Sequence, residues 1–244
     1  MNEFDDENRI LELIRDVPSQ KVGFLSDDDS SKTVFESLIG CPEKWVDNSG
    51  KDAPPPDYLN PSDSIMMEVM RVNDTDSASS KRESELQEEI AKSGLLDSFP
   101  NVKNIICVPN IHSQSYSSYV KSFNHAIKKH DVKIEKYHSN HPGFKTIAFL
   151  VCDESEAYFE THGEAKGIIH TWFRDKAFMS TLLECRAQCV IWFTPYKALE
   201  RFGINYPEIV VINPELIDSK DWVNYDAEFM SDASKALSIL WSNT

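Results

Sequence analysis

Apolar side chains recur at helical spacing in several stretches of the chain, and this pattern predicts amphipathic helices. The predicted helices lie near residues 4–16, 31–39, 82–93, 116–127 and 175–186, with a terminal helix marked by Phe229, Ala233, Leu237 and Leu240. The clearest pattern is the fourth, where one helical face carries Tyr116, Tyr119, Val120, Phe123 and Ile127. Such a face is typical of a helix that packs on a hydrophobic core.

Short, nearly unbroken apolar runs alternate with these helices and predict β-strands. The predicted strands lie near residues 43–47, 65–72, 102–108, 146–152, 189–193 and 209–212. Strands that alternate with helices need crossover connections, which favour a mixed or mainly parallel central sheet flanked by helices. The sequence therefore predicts a single α/β domain over residues 31–244, preceded by an N-terminal helical extension with an acidic loop over residues 1–30.

The chain is strongly acidic, with a formal net charge of −15 at pH 7. This charge disfavours a general electrostatic grip on nucleic acid, although it leaves room for a small basic cleft or a metal-bridged phosphate. An acidic surface also suits a basic protein partner, and no feature of the sequence indicates an oligomeric state. The apolar runs are far shorter than the ~20 residues of a membrane span. The first residues are acidic where a signal peptide would be basic, so we expect a cytoplasmic protein without membrane contact.

Several familiar site motifs are absent from the sequence. It contains no HExxH, no pair of CxxC motifs, no Walker loop, no dinucleotide-binding glycine fingerprint and no GxSxG elbow. The five cysteines share no zinc spacing, which favours reduced thiols in the core. His125 and His130 are five residues apart on a predicted helix and do not share a face, so the sequence does not favour a histidine metal site.

Two carboxylates stand in unusual surroundings. Asp57 follows three consecutive prolines, and Glu68 lies between Met66 and Met70 in an apolar predicted strand. A buried carboxylate is costly unless it is paired or coordinates a metal ion. The interval between the two acids has room for a turn and a returning strand, so a hairpin would bring them together. Two carboxylates form a hard oxygen site that suits Mg²⁺ or Mn²⁺.

The pattern Pro56-Asp57, then a hairpin, then Glu68-Val69-Met70 resembles the PD-(D/E)xK nuclease superfamily. The resemblance implies a nuclease-like core over about residues 31–152 and metal-dependent phosphodiester hydrolysis, with Asp57 and Glu68 as the metal ligands and catalytic acids. It also implies a further acid on the preceding helix, where Glu36 lies. The lysine of the motif falls on Met70 in this chain, so another cation has to replace it. The candidates are Lys51, Arg71 and Lys197.

The alternative to an enzyme is a catalytically inactive α/β binding module that contacts a protein partner. Met70 divides the two hypotheses, because an active enzyme needs a cation close to the two acids and a binding module does not. A second resemblance is broader: several blocks of the chain, among them Asn140–Lys145 and Thr194–Lys197, look like those of a set of uncharacterised bacterial proteins. It implies a shared fold and brings no activity with it.

A second group of polar residues follows two predicted strands directly. Asp153 and Glu154 come after the strand near 146–152, and Tyr196 and Lys197 come after the strand near 189–193. Ligands collect at the carboxyl ends of strands in open α/β sheets, so these residues predict a candidate binding rim if the strands are parallel neighbours. His170 and Asp175 are candidates to join it. Ordinary loop polarity and helix capping by Asp153 explain the same residues without a ligand.

Overall fold

The structure is a computed structural model that describes residues 7–48, 56–73, 115–155, 157–160, 169–197, 206–225 and 229–231. The helix predicted near residues 82–93 and the strand predicted near residues 102–108 lie outside these ranges, as does most of the predicted terminal helix. Its first residue, Phe229, is described and begins a short strand.

The described strands form one mixed sheet and one short ribbon. They are β1 (Val22–Phe24), β2 (Val46–Asp47), β3 (Tyr58–Asn60), β4 (Ile65–Val72), β5 (Thr146–Asp153), β6 (Tyr158–Glu160), β7 (Cys189–Phe193), β8 (Ile209–Ile212) and β9 (Phe229–Ser231). Seven of them lie in the order β1-β8-β7-β5-β4-β3-β2, and β6 pairs with β9 separately. Strands β4, β5 and β7 are parallel neighbours, whereas β2, β3 and β4 form an antiparallel meander. The α/β class and the mixed sheet are confirmed.

Helices cover both faces of the large sheet. They are α1 (Glu7–Asp16), α2 (Asp29–Gly40), α3 (Tyr116–Asp131), α4 (Ile134–Asn140) and α5 (Lys176–Leu183). One hydrophobic cluster joins α1 and α2 to the face that carries Met67 and Val69. The other cluster joins α3, α4 and α5 to the face that carries Met66 and Met70. Because strand side chains alternate between faces, Glu68 points toward α3 and α4.

The N-terminal segment belongs to the same layers. Ile10, Leu11 and Ile14 of α1 are buried in the cluster under α2, and β1 forms the edge of the large sheet beside β8. Asp28 caps α2 by accepting a hydrogen bond from the Ser31 N–H at 2.8 Å, which is a common way to begin a helix. Residues before 30 therefore contribute a helix and an edge strand to the domain.

Two local features differ from the sequence-based expectation. Helix α4 runs to Asn140, where the sequence predicts a loop over residues 138–145, and its two inward side chains, Ile134 and Tyr137, are buried. Strands β1 and β6 have three residues each, too few for a recognisable apolar period. None of the helices in the described part of the chain combines the length and apolar character needed to span a bilayer. All four described cysteines are free thiols; three of them are buried in the core, whereas Cys41 is half-buried.

Candidate functional site

A hairpin brings the two predicted acids together. Tyr58 of β3 pairs with Met67 of β4, so the next residues along the two strands, Asp57 and Glu68, lie side by side on the face covered by α3. Backbone N–H groups of two neighbouring segments hold the side chain and the carbonyl of Asp57. Its carboxylate Oδ2 accepts a hydrogen bond from the Val69 N–H at 2.8 Å, and its carbonyl accepts one from the Asn48 N–H at 2.7 Å.

The half-buried Asp57 side chain is electrostatically coupled to its neighbours. Burial, followed by repulsion from Glu68, raises the pKa of Asp57 from its ordinary value to about 6. The hydrogen bond from Val69 and the positive charges of His130 and Lys133 oppose this rise in the pKa of Asp57. The two carboxylates therefore repel each other, and it is unfavourable for Asp57 to ionise next to a charged Glu68.

Glu68 is almost closed off from water, with 4 % of its surface exposed. Its Oε1 lies 2.6 Å from Nδ1 of His130 and 3.8 Å from Nζ of Lys133. The hydrogen bond assigns a proton to Nδ1 of His130, so the imidazole donates to the carboxylate. The other oxygen, Oε2, is buried and has no hydrogen-bond partner among the described residues. An unsatisfied buried carboxylate oxygen costs free energy unless something else pairs with it.

A buried phenol completes this cluster. Tyr137 of α4 has a buried hydroxyl with no hydrogen-bond partner in the described ranges. Burial raises the pKa of Tyr137 well above its ordinary value, and the adjacent Glu68 carboxylate adds to the rise through its negative charge and through a hydrogen-bond interaction too long to count as a formed bond, so the phenol stays neutral. A neutral phenol is a hydrogen-bond donor that can turn toward a polar group placed between it and Glu68.

The cations suggested by the sequence lie elsewhere. Arg71 points to the opposite side of β4 from Glu68 and forms a two-pronged ion pair with Glu154, one contact of which, from Nη2 to Oε2, measures 3.0 Å. Lys197 binds Asp153. The further acid that the resemblance implies, Glu36, does not join the pair either: it is exposed on α2, on the other face of the sheet. Lys51 lies outside the described residues. Among the described residues, Lys133 is the lysine that lies beside the acids, and His130 is a second basic side chain there.

The second predicted rim forms at the carboxyl ends of β5 and β7, as parallel pairing requires, but its core is closed. Asp153 is fully buried, and its Oδ2 accepts hydrogen bonds from Nζ of Lys197 at 2.9 Å and Nε1 of Trp192 at 2.9 Å, and from the hydroxyl of Tyr119. Its Oδ1 accepts from the backbone N–H of Ser155 at 3.0 Å and from the Ser155 hydroxyl at 2.6 Å.

Lys197 is the unusual member of this centre, since it is 1 % exposed. Besides Asp153, its ammonium group contacts the Tyr119 hydroxyl at 3.3 Å and lies 4.5 Å from the centre of the Tyr119 ring and 5.3 Å from that of Trp172. Both charges are therefore paired and enclosed. The arrangement is that of a structural ion pair that ties the end of β7 to β5 and α3.

His170 and Asp175 form a neighbouring buried pair. Oδ2 of Asp175 accepts hydrogen bonds from Nε2 of His170 at 2.6 Å and from the hydroxyl of Tyr116, and Oδ1 caps α5 through the Ala177 N–H at 2.9 Å. Burial lowers the pKa of His170, so the imidazole is neutral. Asp175 and Tyr116 also border an open groove of about 350 Å³, although Asp175 itself is 1 % exposed. Of the predicted rim, Glu154 is engaged by Arg71, and Tyr196 is 50 % exposed.

Sequence reasoning missed the partners that α3 supplies. His130 follows Phe123 by seven residues and Ile127 by three, so the apolar stripe of the helix already placed it on the buried face. Tyr119 was predicted as a core residue of that stripe, which it is, and it donates a hydrogen bond to Asp153 as well. No local signal marked Lys133, which lies between α3 and α4.

In the part of the chain that the structure describes, no group of three or more His, Cys, Asp or Glu side chains is arranged to hold a metal ion. The acid pair is thus a two-carboxylate site. Comparisons of the chain with protein-family models, with curated proteins and with solved structures found no match.

Proposed function

We propose that this protein is a nuclease-like phosphodiester hydrolase whose divalent metal ion is held by Asp57 and Glu68. The observation that carries the proposal is the buried Oε2 of Glu68, which has no hydrogen-bond partner among the described residues and belongs to a carboxylate beside Asp57. A cation bound between the two carboxylates would satisfy that oxygen and relieve the repulsion that raises the pKa of Asp57.

The residues fit a magnesium or manganese ion in number and in chemistry. Mg²⁺ keeps several water molecules and is commonly bound by one or two carboxylates together with substrate phosphates, so a cluster of three protein ligands is not required. When bound, such an ion polarises a phosphoryl oxygen and lowers the pKa of a coordinated water.

Lys133 takes the role that Met70 cannot fill. Its Nζ lies 3.8 Å from Oε1 of Glu68, and its side chain is 38 % exposed, so it contacts the acid pair from the solvent side. An ammonium group in this position stabilises negative charge on a phosphate that approaches the acids. His130 holds Oε1 of Glu68 in place and leaves Oε2 for the metal ion.

A cleavage assay tests this function. Fluorescently labelled single-stranded and double-stranded DNA and RNA are incubated with the protein and Mg²⁺ or Mn²⁺. We expect metal-dependent cleavage, with Asp57→Asn, Glu68→Gln and Lys133→Met each lowering the rate about 100-fold or more because each removes charge that stabilises the transition state.

The matched controls are Glu36→Gln and Lys32→Met. They make the same chemical changes on α2, which covers the opposite face of the sheet, and should leave the rate unchanged. Absence of cleavage by the wild-type protein with either metal on every substrate would overturn the proposal.

The binding module is the second candidate. The observation in its favour is that Glu68 is 4 % exposed and already pairs with His130 and Lys133, a set that also serves as a purely structural ion pair. In that case the protein would bind a partner through its surface and cleave nothing. Cleavage lost in Glu68→Gln and kept in Glu36→Gln excludes it.

A further inference from the structure

Positive charge is concentrated on one short segment of this acidic chain. The whole protein has a formal charge of −15, but residues 121–136 contain five lysines and only two acidic residues. These residues form most of α3 and the beginning of α4. The segment thus has the opposite sign of charge from the molecule as a whole.

The two acidic residues of the segment share one ion-pair partner from a distant part of the chain, Arg186. Nε of Arg186 lies 3.1 Å from Oδ2 of Asp131, and Nη1 of Arg186 lies 3.0 Å from Oε1 of Glu135. One guanidinium balances only one of the two carboxylates, but the five lysines of the segment together with Arg186 still outnumber its two acids, so the net charge of the segment is positive.

Four of the lysines face water. Lys121, Lys128, Lys129 and Lys136 are exposed, and none of them forms an ion pair with the residues that the structure describes. We call these four the lysine strip. Lys121 and Lys128 are seven residues apart and share a helical face, about 10 Å apart along the helix axis. The strip therefore presents spaced ammonium groups rather than one point charge.

The strip is continuous with the acid pair. The fifth lysine, Lys133, lies between Lys129 and Lys136 in the chain and touches Glu68, and His130 of the same segment contacts the same carboxylate. A polyanion that lay along α3 and α4 would thus pass the acid pair between Lys129 and Lys136, where Lys133 contacts Glu68.

We infer that the lysine strip is the surface on which the phosphate backbone of a nucleic acid binds and is guided to the Asp57–Glu68 pair. The inference rests on the proposed function, for which it names the substrate and the way it arrives. Spaced lysines on a helix neutralise successive phosphates, which gives affinity without reading sequence. The negative charge elsewhere on the molecule repels the rest of the polymer, so binding is confined to this strip and weakens steeply with salt.

Binding is measured without metal, so that it is independent of cleavage. Fluorescence anisotropy of a labelled oligonucleotide in EDTA, titrated with the full chain, gives Kd over a range of salt concentrations. Each lysine that contacts a phosphate contributes a slope of roughly −0.7 to −0.9 to a plot of log K against log salt. We expect Lys128→Glu/Lys129→Glu to weaken binding about tenfold or more at low salt and to flatten the slope by roughly two such contributions.

A gain-of-function variant protects the test against misfolding. Glu135 has an 85 % exposed side chain, so Glu135→Gln removes a negative charge from the segment without disturbing a buried contact, and it should tighten binding about twofold. Lys32→Glu/Lys220→Glu makes the same charge change as the strip variant at one half-buried and one exposed lysine outside the segment and should leave Kd within about twofold of the wild-type value.

Three results would overturn the inference: no binding by the wild-type protein, equal weakening in the strip and control variants, or equal competition by polyglutamate of the same total charge. The last would mark the strip as a surface for an acidic protein segment. The test separates this inference from the proposed function. Binding that depends on the strip, with no cleavage when metal is added, contradicts only the hydrolase. Metal-dependent cleavage that is unchanged in the strip variant contradicts only the strip.

Discussion

Glu68 shows how one side chain can be both part of a core and part of a site. Its neighbours along β4 on the same face, Met66 and Met70, are buried under α3 and α4, and a lysine at position 70 would be buried with them. A cation from outside the strand lies beside Glu68 instead: Nζ of Lys133 is 3.8 Å from its Oε1, and the Lys133 side chain is 38 % exposed. The geometry thus gives a physical reason why the position two residues after Glu68 is apolar.

The raised pKa of Asp57 predicts how the stability of the protein depends on pH. Because the pKa of Asp57 is raised in the folded state to about 6, folding retains a proton that the unfolded chain releases near its ordinary pKa of 3.8. Stability therefore falls as the pH rises from about 4 to about 6, and at higher pH the charged Asp57 destabilises the native state. Asn at this position keeps an oxygen to accept the hydrogen bond from Val69 and removes the charge.

We therefore expect metal-free Asp57→Asn to melt at a higher temperature than the wild type at pH 8, and the difference to disappear near pH 4. Thermal denaturation in EDTA over this pH range measures it, with Asp63→Asn as a control, since the pKa of Asp63 is lowered by hydrogen bonds from Ser37 and Asn60. That control should destabilise at pH 8 instead. An Asp57→Asn protein less stable than the wild type at pH 8 would show that the acid pair is not under strain.

At the scale of elements, α3 joins two separate polar centres. Its first turns supply Tyr119 to Asp153 at the carboxyl end of β5 and Tyr116 to Asp175 at the start of α5, and its last turn supplies His130 to Glu68. The first centre is enclosed and structural, and the second borders water. Although they share one helix and one face of the sheet, only the second leaves a carboxylate oxygen without a hydrogen-bond partner among the described residues.

The buried ion pair between Lys197 and Asp153 leads to a prediction about stability. Lys197→Met removes the ammonium group and leaves the Asp153 carboxylate charged and buried, which should destabilise the protein by about 3–5 kcal/mol. Adding Asp153→Asn removes the stranded charge, so the double variant should be much more stable than the sum of the two single effects predicts. Urea denaturation of the four proteins measures the coupling. Strictly additive effects would mean that the two charges do not depend on each other.

The elements themselves could largely be predicted from the sequence. Strands β4, β7 and β8 have the bounds that their apolar runs predict, because strands covered on both faces are apolar throughout. Three-residue strands such as β1 carry too few positions to show a period. The acids of the site were also recognisable, since a carboxylate within an apolar run needs a partner.

The partners of those acids could not be predicted, because they come from distant parts of the chain. His130 is 62 residues from Glu68 in the sequence, and no local pattern states that α3 packs over β4. The same reasoning applies to Lys197 and Asp153, which are 44 residues apart and meet only because β5 and β7 are parallel neighbours. The order and direction of the strands, and not the local sequence, determine which basic residue pairs with which acid.

At the scale of the whole molecule, the distribution of charge and the position of the acid pair agree. In this chain of net charge −15, four exposed lysines that form no ion pair with the described residues lie on α3 and α4, next to the site where two carboxylates meet. The net negative charge of the protein repels polyanions from most of the surface, whereas the lysines of residues 121–136 attract them. The lysine strip thus lies beside the Asp57–Glu68 pair, so that in the proposed function the lysines would contact phosphates and the two carboxylates would hold the metal ion.

The most direct test of the shared metal ion is the thermal shift that the ion produces. A ligand bound only by the native state raises its stability by RT ln(1 + [L]/Kd), about 2.7 kcal/mol at a concentration one hundred times Kd. The quantity to compare is the rise in Tm between EDTA and Mg²⁺ or Mn²⁺ for the wild type, Asp57→Asn, Glu68→Gln and the control Glu36→Gln at pH 7.5. We predict a clear rise in the wild type and in Glu36→Gln and none in the two site variants, whereas an equal rise in all four proteins, or none in the wild type, would contradict a metal site at Asp57 and Glu68.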